Sequence, residues 1–221
     1  MFKEVSLLVR KEIVSELRNK TVLSSIVLYS LVVVFVVFQM FKTISDPIVW
    51  NALLWVIVLF TSINSVTKSF ISESKPVQFY MYQLASPGAI ILSKIIYNLI
   101  FVLVITGLTF LIYGVFLGFA PIQKVDISLY LTLFFMGCSG FAIVFTTISA
   151  IASRTNNNFG LMAVMSLPII LPFIYQLVEV SGFIMDGKGW EDAWRFLLVI
   201  FSLNVATVTL SYLLFSYLWR D

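Results

Sequence analysis

Catalysis, metal binding and redox work need particular side chains at particular spacings, and this sequence offers few of them. It has no histidine. That removes the commonest metal ligand, the commonest general base and the usual axial ligand of haem. Its one cysteine, Cys138, lies in an apolar run, so no disulfide can close within the chain and no zinc motif exists. A thiol in such a run reads as a small buried hydrophobe. Met136, Met162 and Met165 carry thioethers, but a lone thioether is a weak ligand, and Met in an apolar segment is ordinarily packing. Asn64, Asn98 and Asn204 offer amide oxygens to an ion. There is no GxxxxGK[ST], HExxH, GxSxG or CxxC. The sequence therefore predicts no catalytic residue, no metal site and no cofactor held by this chain. Any work it performs draws its energy from another subunit.

The elements that carry these residues are membrane spans. Of 221 residues, 60% are hydrophobic and only 11% charged, against about 25% charged in an ordinary soluble domain. A chain so poor in charge cannot cover itself in water, and the solvent that fits it is lipid. A net charge of +3 with no basic stripe gives no nucleic-acid footprint. Crossing ~30 Å of hydrocarbon as a helix takes about 20 apolar residues. Residues 21–41, 48–66, 95–117, 127–152, 159–178 and 196–218 qualify. Barrel strands would be half as long and alternating. The fold class predicted is all-α, one transmembrane domain over 1–221 with six spans.

Lysine and arginine orient it. Lys3, Arg10, Lys11, Arg18, Lys20, Lys68, Lys75, Lys94, Arg154 and Arg220 fall on one side. Only Lys42, Lys124, Lys188 and Arg195 fall on the other. Positive flanks stay in the cytoplasm, so both termini are expected there. Charges run through the first 20 residues, which argues against a cleavable signal peptide.

Between the spans, residues 1–20 read as an interfacial helix. Phe2, Val5, Val9, Ile13 and Leu17 recur at helical spacing, with Glu4, Lys11, Ser15 and Arg18 opposite. Residues 67–94 form the longest cytoplasmic connection. Pro76 suits a first helical turn, with a short helix through Gln78 to Leu84. Ser86-Pro87-Gly88 then reads as a cap and first turn for a helix continuing into the third span. Lys94 is expected to snorkel to the interface. The far loop 181–195 holds Trp190 and Trp194 beside acidic residues, an aromatic-belt turn or short helix. Gly137, Gly140, Ala142 and Ala150 on the fourth span predict close helix packing. Pro168 and Pro172 each remove a helical hydrogen bond and predict a kinked or broken fifth span.

Six spans, an amphipathic N-terminal helix and a long loop after the second span resemble the membrane subunit of an ABC-2-type exporter. More narrowly the chain resembles the CcmB family, the permease-like subunit of the haem exporter of cytochrome c maturation. The likeness is carried by WVIVLFTSINSVTKSF (55–70), QLASPGAIILSKIIYN (83–98) and MSLPIILPF (165–173). It implies a bacterial inner-membrane complex. A CcmA-like cytoplasmic ATPase would dock beneath the chain and bind the ATP. A CcmC-like haem-handling membrane subunit, a CcmD-like small membrane protein and a CcmE-like haem chaperone would complete it. The resemblance makes Glu73, Lys75, Pro76, Gln78, Ser86, Pro87 and Gly88 the candidates for contact with the ATPase. With no histidine in the chain, haem in such a complex would be held by the partners. A stand-alone secondary carrier and an integral membrane enzyme are the competing readings. The near absence of ionisable residues inside the spans weakens the first. The second needs clustered polar residues at one depth.

Overall fold

The computed structural model describes residues 2–18, 20–71, 85–152 and 159–218. Described residues form seven α-helices and no strand: α1 (Phe2–Arg18), α2 (Lys20–Phe41), α3 (Pro47–Ile71), α4 (Pro87–Leu117), α5 (Ile127–Ala152), α6 (Phe159–Met185) and α7 (Trp190–Leu218). All but α1 contain a stretch long and apolar enough to cross a membrane. In lipid the backbone must satisfy its own hydrogen bonds, and a helix does so within one segment.

Several helices outrun the hydrocarbon. At about 1.5 Å per residue, the 31 residues of α4 reach about 46 Å. The extra length lies at the start of α4, where Pro87 occupies the first turn and Ser86 is extended before it. Ala89 and Ile90 N–H groups donate to the Ser86 carbonyl at 3.0 and 3.1 Å. The helix therefore starts eight residues before the predicted third span, as the Ser-Pro signal implied. The loop predicted over 181–195 shrinks to a four-residue turn. α6 continues to Met185, and α7 already begins at Trp190. Gly187 takes a positive φ of 79° in that turn, a conformation open to glycine without a Cβ clash. Glu191 and Asp192 then lie in the first turn of α7, where the helix dipole favours carboxylates.

α5 is the central helix, packed against α3, α4, α6 and α7. Residues 137–150 are all buried. A Cβ on Gly137 would meet Leu177 and Trp55 at 2.6 and 2.8 Å. One on Gly140 would run into the Phe173 ring and the Asn204 amide oxygen. The small residues thus let α3, α6 and α7 approach α5 closely, the packing role predicted for them. Hydrogen bonds from buried side chains mark the two ends of the bundle. At one end, Tyr113 donates to the Trp50 carbonyl at 2.9 Å, and Trp50 Nε1 to the Gly118 carbonyl at 3.1 Å. At the other, Asn98 Nδ2 donates to Thr146 Oγ1 at 3.0 Å, and Thr147 and Ser211 hydroxyls pair. α1 lies at this second end, against the start of α4.

Candidate functional site

The best-defined polar site lies where α1 meets α4. Three pairs of residues hold it: Glu4 with Ser86, Glu12 with Lys94 and Glu16 with Tyr97. Ser86 Oγ donates to Glu4 Oε2 at 3.3 Å. Lys94 Nζ lies 3.6 Å from Glu12 Oε1. Glu16 faces the Tyr97 hydroxyl. The sequence offsets within the pairs are nearly constant, so the two helices run alongside each other in the same direction. One expectation is corrected here. Lys94 does not snorkel to the interface; it is 8% exposed and turned onto Glu12. The face of α1 turned to the bundle is also not its apolar stripe, which the interfacial reading turns toward lipid. Glu12 and Glu16 are its two buried residues, with Val5, Leu8, Val9 and Ile13 half-buried beside them, while Phe2, Leu7 and Leu17 are exposed. The reason is electrostatic. Lys94 sits in an apolar run and needs a counter-charge, and a helix rolled to present its carboxylates supplies one.

The carboxylates are not equivalent. Glu12 is met from two sides, by Lys94 and by the half-exposed Lys11 at 3.2 Å. Glu16, one turn further on, has no cation partner among the described residues. Burial pushes its carboxyl above the ordinary glutamate range; the Tyr97 hydroxyl opposes this, and the neighbouring Glu12 charge adds to it.

Of the predicted ATPase-contact residues, Ser86, Pro87 and Gly88 border this site. Ser86 is exposed, and Gly88 is buried against the Tyr212 ring, which a Cβ would meet at 2.5 Å. Glu73, Lys75, Pro76, Gln78 and the short helix expected through Leu84 lie outside the described residues. The prolines of the fifth span are on α6, which continues through both of them without interruption. Of the kink or break expected from sequence, the break is absent: the helix is unbroken. Each proline still leaves one carbonyl, those of residues 164 and 168, without its i+4 donor. Both prolines are exposed on the outer face of the bundle, whereas Ile170 and Phe173 point inward.

The three asparagines considered as ion ligands are kept apart. Asn64 Nδ2 donates to the Phe60 carbonyl, Asn98 to Thr146, and Asn204 to the Met136 carbonyl and Ser139. Asn51, which drew no notice in the sequence, is the most fully bonded. Its Nδ2 donates to Ser181 Oγ at 2.8 Å, and its Oδ1 accepts from Tyr130 at 3.1 Å. That network ties α3, α5 and α6 with both ends of the amide satisfied, the pattern of a structural lock. Cys138 is buried among these helices. A cleft of about 370 Å³ between α4, α5 and α7 is lined by Leu99, Phe135, Met136, Ile143 and Phe201, with Asn204 among its few polar groups. It carries no charged residue. On the far side, Asp126 caps α5. It accepts from Ser128 Oγ at 2.7 Å and from the Ser128 and Leu129 N–H groups at 2.9 and 3.3 Å. These bonds hold its carboxyl below the usual range.

Comparison with protein-family models matches residues 3–217 to one described as CcmB protein. No curated protein and no solved structure matches the chain.

Proposed function

From the premise that this chain belongs to the CcmB family, we propose that it is the transmembrane permease subunit of an ABC-type complex. That complex acts in haem export or delivery for cytochrome c maturation, and a separate CcmA-like ATPase supplies its energy. The observation that carries this reading is the family match over nearly the whole chain, on a fold of six apolar helices. The chain sits in the bacterial inner membrane with both termini in the cytoplasm, the orientation favoured by the lysine and arginine distribution. It is a non-catalytic subunit.

The connection 72–88 receives the ATPase. What supports this is its place directly before α4, whose first turns are fastened to α1 through Ser86 and Lys94. A push on this connection reaches two helices at once. The exposed prolines of α6 fit packing against another membrane subunit, CcmC-like or a second copy, better than lining a path within one chain.

The test is co-purification from cells expressing the whole system, followed by cysteine crosslinking. An ATPase should accompany this chain and crosslink to positions within 72–88. Maturation activity driven by an ion gradient with no ATPase bound would favour the secondary carrier instead.

A further inference from the structure

We propose that Glu16, Tyr97, Glu12 and Lys94 form a proton-binding site between α1 and α4, and that a proton on Glu16 is part of how α1 is seated. The proposed transport role uses the Lys94–Glu12 pair only as a tie between α1 and α4 and gives Glu16 and Tyr97 no part.

The geometry comes first. Glu12 and Glu16 are one helical turn apart on the same face of α1, and both are buried. Like charges at that spacing repel even on an exposed helix. In a low-dielectric seam, an unpaired carboxylate is far more costly, and such a group binds a proton instead. The cations present are spent on Glu12: Lys94 at 3.6 Å from inside and Lys11 at 3.2 Å from outside. Glu16 has neither. Its Oε1 is buried with no hydrogen-bond partner among the described residues, and the same holds for the Tyr97 hydroxyl that faces it. The Tyr97 hydroxyl can donate to the carboxylate and so opposes the proton, but it brings no charge to replace the missing cation, and burial outweighs it.

The surroundings add no hidden counter-charge among the described residues. From α1 the charged groups facing Glu16 are Glu12 and, behind it, Lys11. From α4 they are Lys94 and the titratable Tyr97. From α2 the described residues in or against the cluster that holds Tyr97 are Ile26 and Val27, both apolar. The ligand is thus a proton taken from water and held on a glutamate oxygen.

The sign of the pH effect follows. Burial raises the proton affinity of Glu16 above that of a free glutamate. Its contribution to seating α1 is then complete below the ordinary glutamate range and is lost as pH rises through the raised value.

The experiment is pH-titrated infrared difference spectroscopy on the assembled complex in nanodiscs, reading the C=O stretch of protonated carboxyl groups. A band titrating above the ordinary glutamate range is expected in the native complex and is absent in Glu16→Gln. Glu16→Gln imitates the protonated form, so it should assemble normally. Glu12→Gln removes the like charge one turn away and should lower the midpoint of the Glu16 band. Lys94→Gln should raise it, and if that variant fails to assemble the two glutamate variants still decide. No band lost in Glu16→Gln, an unchanged midpoint in Glu12→Gln, or failure of Glu16→Gln to assemble would each overturn the proposal.

Discussion

Lys94 and Glu12 meet at 3.6 Å although 82 residues separate them, each side chain only 10% exposed. Pairs this buried gain little over apolar substitutes, but removing one partner strands the other, at about 3–5 kcal/mol. Lys94→Met should therefore release α1 from α4, seen as faster proteolysis within residues 2–18 and a lower melting temperature of the complex. The double variant Glu12→Gln/Lys94→Met should recover much of that loss. Simple addition of the two single losses would mean that the pair has no energetic coupling.

A second expectation concerns α5. A Cβ at Gly140 would run into the Phe173 ring and come close to Asn204. Overpacking of this kind costs about 1–3 kcal/mol, and Asn204 also holds the Met136 carbonyl and Ser139. Gly140→Val should lower the yield of folded chain in membranes, while Gly182→Ala, with open space around it, should not. Equal yields would show that α6 and α7 do not pack on α5 at this depth.

The spans were legible because a run of about 20 apolar residues has few other readings. The start of α4 was legible from Ser86-Pro87, since proline is tolerated in the first turn of a helix. The ends of α6 and α7 were not. Residues 181–185 and 190–195 lie within apolar helical stretches, but Glu179 and Glu191, Asp192 and Arg195 read as span ends, since charges ordinarily mark the edge of the hydrocarbon. The α1–α4 site was hidden for a different reason. Amphipathic spacing turns Val5, Val9 and Ile13 toward lipid and says nothing of which carboxylates meet another helix, because pairing with Lys94 is a long-range event. Its signal was a lysine in AIILSKIIYN and two glutamates at i and i+4 beside the apolar stripe. A charge in an apolar run asks for a named partner.

The prolines of α6 give a third test. Pro168 and Pro172 are exposed on a helix that remains continuous, so replacing both with alanine restores two backbone hydrogen bonds without touching the core. The double variant should fold and insert as well as the native chain, yet support little cytochrome c maturation, because an outer face without its two proline rings no longer fits its membrane neighbour. Covalent haem staining of c-type cytochromes reads the outcome. Full maturation would leave these prolines without a mechanistic role.

The last prediction concerns haem. Axial ligation uses His, Met, Cys or Tyr side chains. With no histidine in the sequence, ligation by two histidines, or by His with Met, cannot come from within this chain. Cys138 is fully buried on the central helix, where forming a thiolate would place an unpaired charge among apolar side chains. Tyr113 and Tyr130 are committed to the Trp50 carbonyl and to Asn51, so recruiting either would break the bonds that join α3, α4 and α5. Met136 borders the cleft between α4, α5 and α7, but a single thioether is a weak hold on iron. The chain purified alone from haem-replete cells should therefore show no stoichiometric Soret band, and the complex should owe its haem spectrum to the partner subunits. A Soret band on the isolated chain that disappears in Met136→Leu or Cys138→Ala would make this subunit itself the haem carrier, with the cleft beside Met136 as the place to look.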